Sequence, residues 1–189
     1  MRGLHLQMEK GLVVNSRLQM VASAPPADET AGVLENLRLL VSELEKAGED
    51  KRLPNERLLA ERLGLDGVHL SDAARSVRHA RKVLGPDAIV GSFCAGSRHD
   101  GMSAGEAGAD YIAFGPVQAT ALNDGEIAEA EMFQWWSEVI EVPCVAEGQL
   151  DAAMIAKLAP MTDFFGIGEE IWGSDDPAAA LKTLWSAIG

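Results

Sequence analysis

Strand-like apolar runs recur along the C-terminal two-thirds of this chain, each followed by a helical, alanine-rich stretch and carrying glycine at or near its end. They begin at Gly67 (GVHL), Ile89 (IVGSF), Tyr111 (YIAFGPV), Val142 (VPCVAEG) and Phe164 (FFGIGEEI), at steps of 22, 22, 31 and 22 residues. A strand followed by a helix at this pitch is a βα unit, and a series of them builds a parallel sheet. Five such units, with room upstream for about three more, predict an α/β fold of the (β/α)8 TIM-barrel type with an incomplete or irregular N-terminal part. A doubly wound open sheet of five or six strands is the alternative, but no glycine-rich dinucleotide loop follows the early runs. In a parallel barrel the chemistry lies just past the C-terminal strand ends, so the rhythm also says where to look for function.

The punctuation between the runs agrees with this reading. Asp72 to Leu84 is a predicted helix closed by Gly85 and Pro86. Ser103 and Glu106 have the spacing of a capping box on a short helix that stops at Gly108. Ala128 to Val139 reads as a helix carrying Phe133, Trp135 and Trp136, with the two tryptophans expected to pack an outer helix onto the core. Asp151 caps a helix that Pro160 ends, and Asp176 with Pro177 opens the last one. Upstream, Val33, Leu37, Leu40, Val41 and Leu44 mark one face of a helix, and short strands are expected at Leu18–Ala22 and at Gly11–Val14 or Leu4–Leu6.

A length of 189 residues fits one domain, residues 1–189. The formal charge of −13 argues against nucleic acid and against anionic membrane surfaces as partners. No apolar run approaches the roughly 18 residues of a membrane span, and Glu9 and Lys10 interrupt any signal-peptide core. Cys94 and Cys144 lie inside strand-like runs and read as buried free thiols of a cytoplasmic protein. A homo-oligomer is neither required nor excluded by this sequence. An anionic small molecule would need backbone N–H groups, a helix N-terminus or Mg²⁺ held by carboxylates.

The strand ends supply the candidate site residues. Ser71 and Asp72 follow the first run; Ser97, Arg98, His99 and Asp100 follow the second; Gln118, Thr120 and Asn123 follow the third. Gly148 and Gly168 fall on the last two strand ends, where backbone N–H groups can hold a phosphate; tight turns alone would also explain them. Arg98 could clamp a phosphate or carboxylate, or sit in a solvated loop. Glu169 and Glu170 stand where such a phosphate cradle would be and could hold a cation or repel an anion. His69, within its strand, reads as a buried and hydrogen-bonded histidine. His79, among Arg75, Arg78, Arg81 and Lys82, reads as part of a solvated helix face.

Asp66-Gly67-Val68-His69-Leu70, Leu84-Gly85-Pro86, Ile89-Val90-Gly91 and Gly108-Ala109-Asp110-Tyr111-Ile112-Ala113-Phe114-Gly115-Pro116-Val117 together resemble thiamine-phosphate synthases and their sister family, the thiazole tautomerases. Val142 to Gly148 and Gly173 to Pro177 fit the same pattern, so the resemblance covers roughly residues 56 to 189 and leaves 1–55 as a divergent part. It implies a (β/α)8 barrel that joins a hydroxymethylpyrimidine diphosphate to a thiazole phosphate with release of diphosphate. It implies small phosphorylated heterocyclic substrates and Mg²⁺, with Asp72 the carboxylate nearest the family's metal position. Asn55 is the nearest counterpart of an asparagine at a metal and pyrimidine site. Ser92 adjoins the family's serine position, Thr120 matches its loop threonine, and Asn123 stands where its loop lysine would be. The basic residues that grip diphosphate in the family have no counterpart near Leu18–Ser23 (LQMVAS). Three functions therefore follow from the resemblance: a synthase-like transferase, a catalytically impaired relative that binds a phosphorylated ligand, and a tautomerase-like isomerase with His99 as its base.

Overall fold

The computed structural model of the chain describes residues 12–14, 67–119 and 127–188. The expected helix around Val33–Leu44, the strands at Leu18–Ala22 and Leu4–Leu6, and the candidate residues Asn55, Thr120 and Asn123 lie outside them. Within them, six strands form one sheet: β1 (Leu12–Val14), β2 (Gly67–Leu70), β3 (Ile89–Phe93), β4 (Tyr111–Phe114), β5 (Cys144–Glu147) and β6 (Phe164–Ile167). All neighbouring pairs are parallel and the order is β1-β6-β5-β4-β3-β2. Strands β2 to β6 thus lie side by side in chain order without the reversal that defines a doubly wound sheet. The first strand pairs with the last, Val13 opposite Gly166, so the sheet curls in the sense of a barrel. The described architecture is a parallel α/β half-barrel.

The connecting helices are α1 (Val77–Leu84), α2 (Arg98–Glu106), α3 (Ala130–Val139), α4 (Ala152–Leu158), α5 (Glu169–Trp172) and α6 (Pro177–Ser186). Their caps follow the sequence in most places. Asp151 accepts the Met154 N–H at 2.7 Å and Asp176 the Ala179 N–H at 3.0 Å. One expectation is corrected: α2 starts at Arg98, and its cap is Ser97, whose Oγ accepts the Asp100 N–H at 3.1 Å. Ser103 and Glu106 fall inside that helix, so no capping box exists there. The expected helix at Asp72–Leu84 is broken into a 3₁₀ turn at Ala73–Arg75 followed by α1.

Strand alternation sorts the sheet into two faces. Val68, Leu70, Val90, Ser92, Ile112, Phe114, Cys144, Ala146, Phe165 and Ile167 are buried, and the apolar ones among them join Phe133, Trp136, Ile155 and Leu158 in the core beneath the helices. Trp136 stacks edge-on against Phe114 at 4.9 Å and donates Nε1–H to the Val142 carbonyl at 2.7 Å. The opposite face carries His69, Gly91, Tyr111, Ala113, Val145, Glu147 and Gly166, and it is the face that lines the interior of a barrel.

An aspartate fastens two of the strand starts by the same device. Asp110, just before β4, accepts the Val90 N–H of β3 at 2.7 Å on Oδ2 and donates its own N–H to the Val90 carbonyl at 2.8 Å. Asp163, just before β6, does the same to Cys144 of β5, at 2.8 and 3.1 Å. Arg81 adds a charge to the first clamp: its Nη2 lies 2.5 Å from Asp110 Oδ2, and its Nη1 donates to the Ala88 carbonyl. Arg81 thus departs from the solvated face read from sequence, while Arg75, Arg78, His79 and Lys82 are exposed as expected. Cys94 and Cys144 are free and buried, and burial pushes both thiols up to about 11. No helix among the described residues is long and apolar enough to cross a membrane.

Candidate active site at the C-terminal strand ends

The interior face carries two polar groupings, one on the β2–β4 side and one on the β5–β6 side. On the first, β-strand register puts His69, Gly91 and Tyr111 in one row across three strands. Gly91 has no side chain, and Tyr111 uses that space: a Cβ there would lie 2.0 Å from Tyr111 Cζ. The Tyr111 ring stacks on the His69 imidazole with centroids 5.6 Å apart, and its hydroxyl meets Nδ1 at 2.9 Å. Burial holds the His69 imidazole neutral, lowering it to about 4, and raises the Tyr111 phenol well above its ordinary value. His69 is 5% exposed, and its Nε2 has no partner among the described residues. The sequence reading of a buried, hydrogen-bonded histidine is therefore correct for one ring nitrogen. The other is a polar atom facing no mate, whichever tautomer the ring adopts.

On the second side, Glu147 ends β5 opposite Gly166, with only about 3.1 Å between its Cβ and the position a Gly166 side chain would take. Burial, and then the charge of Glu170, push the Glu147 carboxyl up to about 7. Glu170 reaches back over the same strand ends. Its Oε1 accepts the Leu150 N–H at 3.0 Å and its Oε2 the Gly168 N–H at 2.9 Å. Gly148 takes φ +80, a left-handed conformation that glycine adopts without strain, and its carbonyl accepts the Val117 N–H at 3.1 Å. A Cβ on Gly148 would also touch Pro116 at 3.0 Å.

The predicted site residues divide by place. Ser71 and Asp72 follow β2 at the C-terminal end of the sheet, with Ser71 exposed. Asp72 Oδ2 accepts the Ser76 hydroxyl at 2.5 Å, while its Oδ1 is buried with no partner among the described residues. Gly148, Gly168, Glu169 and Glu170 cluster at the ends of β5 and β6, with Glu169 exposed. Ser92 lies elsewhere: it is fully buried on the helix-facing side, donating to the Ala73 carbonyl at 3.0 Å. Arg98 is turned outward, its guanidinium 4.9 Å over the Trp135 ring, and it donates to the Glu131 carbonyl at 3.4 Å. His99 is exposed in the first turn of α2.

Of the interior groups, Tyr111 escaped the sequence reading as a site residue, whereas Glu147 ends its strand-like run and Glu170 belongs to the Glu169-Glu170 pair singled out there. Alternation along YIAF could have put Tyr111 on the interior face. Nothing in the sequence signals that Glu170, and not Glu169, folds back onto backbone N–H groups.

The described residues contain no group of three or more histidine, cysteine, aspartate or glutamate side chains placed to hold a metal ion. A magnesium ion that shares one carboxylate with a substrate's phosphates needs no such group. The orphaned Oδ1 of Asp72 fits that role.

The family model and the curated relatives point to one family. Residues 40–164 match the model of the family described as thiamine monophosphate synthase. The chain is 41% identical over 129 residues to thiamine-phosphate synthase of Hyphomonas neptunium and 43% identical over 125 residues to that of Erythrobacter litoralis. These stretches are 67% and 64% of this chain and 58% and 59% of the two relatives, so the chain matches less than two-thirds of their length. A solved thiamine phosphate pyrophosphorylase from Pyrococcus furiosus superposes with a TM-score of 0.66 at 20% identity, over 95% of this chain and 84% of that one. The singly wound parallel sheet, the DGVHL and GADYIAFGPV segments built into β2 and β4, and the matched residues 40–164 lead to one conclusion: the chain belongs to the thiamine monophosphate synthase family.

Proposed function

We propose that the chain is a thiamine-phosphate-synthase-type transferase that joins hydroxymethylpyrimidine diphosphate to a thiazole phosphate. The observation that carries this is the 41–43% identity to curated thiamine-phosphate synthases over 125–129 residues. In this reaction the pyrimidine's exocyclic C–O bond breaks, and its electron pair leaves with diphosphate. The thiazole nitrogen then donates its lone pair to the resulting cation, forming the C–N bond. The protein's part is to hold the two reactants in line, to exclude water and to stabilise the separating charges.

The interior face supports that division of labour. The neutral His69–Tyr111 pair, with Glu147 pushed up to about 7 beside it, offers a polar but weakly charged wall for a heterocycle. Asp72 would hold Mg²⁺, which when bound neutralises the diphosphate leaving group. Ser71, Asn55, Thr120, Asn123, Gly148 and Gly168 are proposed substrate contacts around it. The matched family motifs outweigh the alternative of a purely ligand-binding relative.

The chain is further proposed to be a single domain of the (β/α)8 barrel type, with a divergent N-terminal part, in the cytoplasm. The pairing of the first described strand with the last, and the unbroken chain order from β2 to β6, support this reading.

Titration calorimetry tests the assignment. The pyrimidine diphosphate should bind with Mg²⁺, and the thiazole, offered as its phosphate ester and as its alcohol, should bind separately. Binding of the thiazole phosphate alone would contradict the transferase assignment and favour an isomerase.

A further inference from the structure

At the mouth between β5 and β6, two backbone N–H groups from different loops converge on one point. They belong to Leu150 and Gly168, and the point is occupied by the carboxylate of Glu170, one oxygen to each N–H, at 3.0 and 2.9 Å. Paired main-chain N–H groups at parallel-strand ends form an anion cradle. Here the anion is supplied by the chain itself.

The surroundings reinforce the point. The segments Glu147–Asp151 and Ile167–Asp176, which shape this corner, contain six carboxylates and no lysine, arginine or histidine. The Glu170 charge is also felt by Glu147, whose carboxyl it helps to keep protonated. A phosphate ester arriving here would therefore have to expel a carboxylate that already makes two charge-assisted hydrogen bonds, between segments that carry no compensating cation of their own.

We propose that Glu170 is a specificity-determining residue: its carboxylate is a built-in occupant of the Leu150/Gly168 cradle that competes with the phosphate of an incoming ligand. It biases this corner toward the uncharged alcohol form of the second substrate and against its phosphate ester. The identity of that substrate as a thiazole rests on the transferase assignment above; the competition at the cradle does not.

The test uses the full chain and the variants Glu170→Ala and Glu170→Gln. Inorganic phosphate is titrated against each, and the amide resonances of Leu150 and Gly168 are followed by NMR. Glu170→Ala should bind phosphate at least about tenfold more tightly than the unaltered chain, with both amides shifting on binding. Glu170→Gln, which keeps the shape and loses the charge, should fall between, and it serves if the alanine variant does not fold. Equal phosphate affinity in all three proteins, or amide shifts that leave Leu150 and Gly168 unmoved, would overturn the proposal. A parallel titration compares the thiazole alcohol with its phosphate ester. The preference for the alcohol should drop by about tenfold in Glu170→Ala. If neither thiazole binds any of the proteins while the phosphate result holds, the transferase assignment fails and the role of Glu170 stands.

Discussion

Tyr111 reaches over Gly91 to bring its hydroxyl within 2.9 Å of His69 Nδ1, so that one row of the sheet interior holds a tyrosine, an empty position and a histidine on successive strands. The empty position is what permits the pair. Gly91→Ala would put a methyl group 2.0 Å from Tyr111 Cζ, and the ring would have to leave its place. Overpacking of this kind should cost about 1–3 kcal/mol, read as a lower midpoint in urea unfolding. Tyr111→Phe leaves the ring and removes only the hydroxyl, so it should cost about 1 kcal/mol. If the alanine variant were as stable as the parent, the packing described here would be wrong.

Glu147 gives stability a pH signature. Its folded value of about 7 lies above the ordinary 4.5, so the folded state binds the extra proton. The stability this confers is fully present below pH 4.5 and is lost as the pH rises through 7. His69 runs the other way: lowered to about 4 from 6.5, it favours the folded state above pH 6.5 and costs stability as the pH falls toward 4. Glu147→Gln should therefore gain on the order of 2 kcal/mol relative to the parent at pH 8 and gain nothing at pH 4.5. Urea unfolding at both pH values measures the difference, and a gain of the same size at both would show that Glu147 is not raised.

The Asp110 clamp ties α1, β3 and β4 together through the Val90 N–H and the Arg81 guanidinium. Asp110→Ala strips both of their acceptor and should destabilise by about 1–3 kcal/mol. Arg81→Ala leaves the Asp110–Val90 hydrogen bonds in place and removes an ion pair whose two side chains are each 23% exposed, so it should cost less. Thermal unfolding of the two variants gives the order; a larger loss for Arg81→Ala would reverse the assignment of Asp110 as the centre of the clamp.

Both cysteines should resist modification. With thiols at about 11 and buried side chains, Cys94 and Cys144 expose almost no thiolate at pH 7. A chromogenic disulfide reagent should react slowly with the native protein and rapidly with both thiols in denaturant. Rapid native labelling of either would mean that the structure around it opens readily.

Much of this fold is written in local pattern. Strand pitch, the Asp151 and Asp176 caps and the Gly85 stop are short-range signals, and the corresponding elements lie where they were expected. The start of α2 was misplaced because Ser97 and Ser103 offer the same capping chemistry, and only the preceding loop decides between them. The site was less legible for a physical reason. Its groupings join residues far apart in sequence: His69 with Tyr111, and Leu150 with Glu170. Which residue of the Glu169-Glu170 pair turns inward depends on the short helix α5, and composition carries no sign of it. Ser92 and Arg98 illustrate the converse. Both stand at strand ends in sequence, yet one faces the core and the other stacks on Trp135.

The central claim is that this sheet carries a bond-forming transferase site. Its most direct test is a single-turnover reaction of the purified chain with hydroxymethylpyrimidine diphosphate, Mg²⁺ and a thiazole, offered as the phosphate ester and as the alcohol. Released diphosphate and the coupled product are measured together. The account predicts equal amounts of both, abolished by Asp72→Ala. Diphosphate released without coupled product, or neither formed with either thiazole, would contradict it.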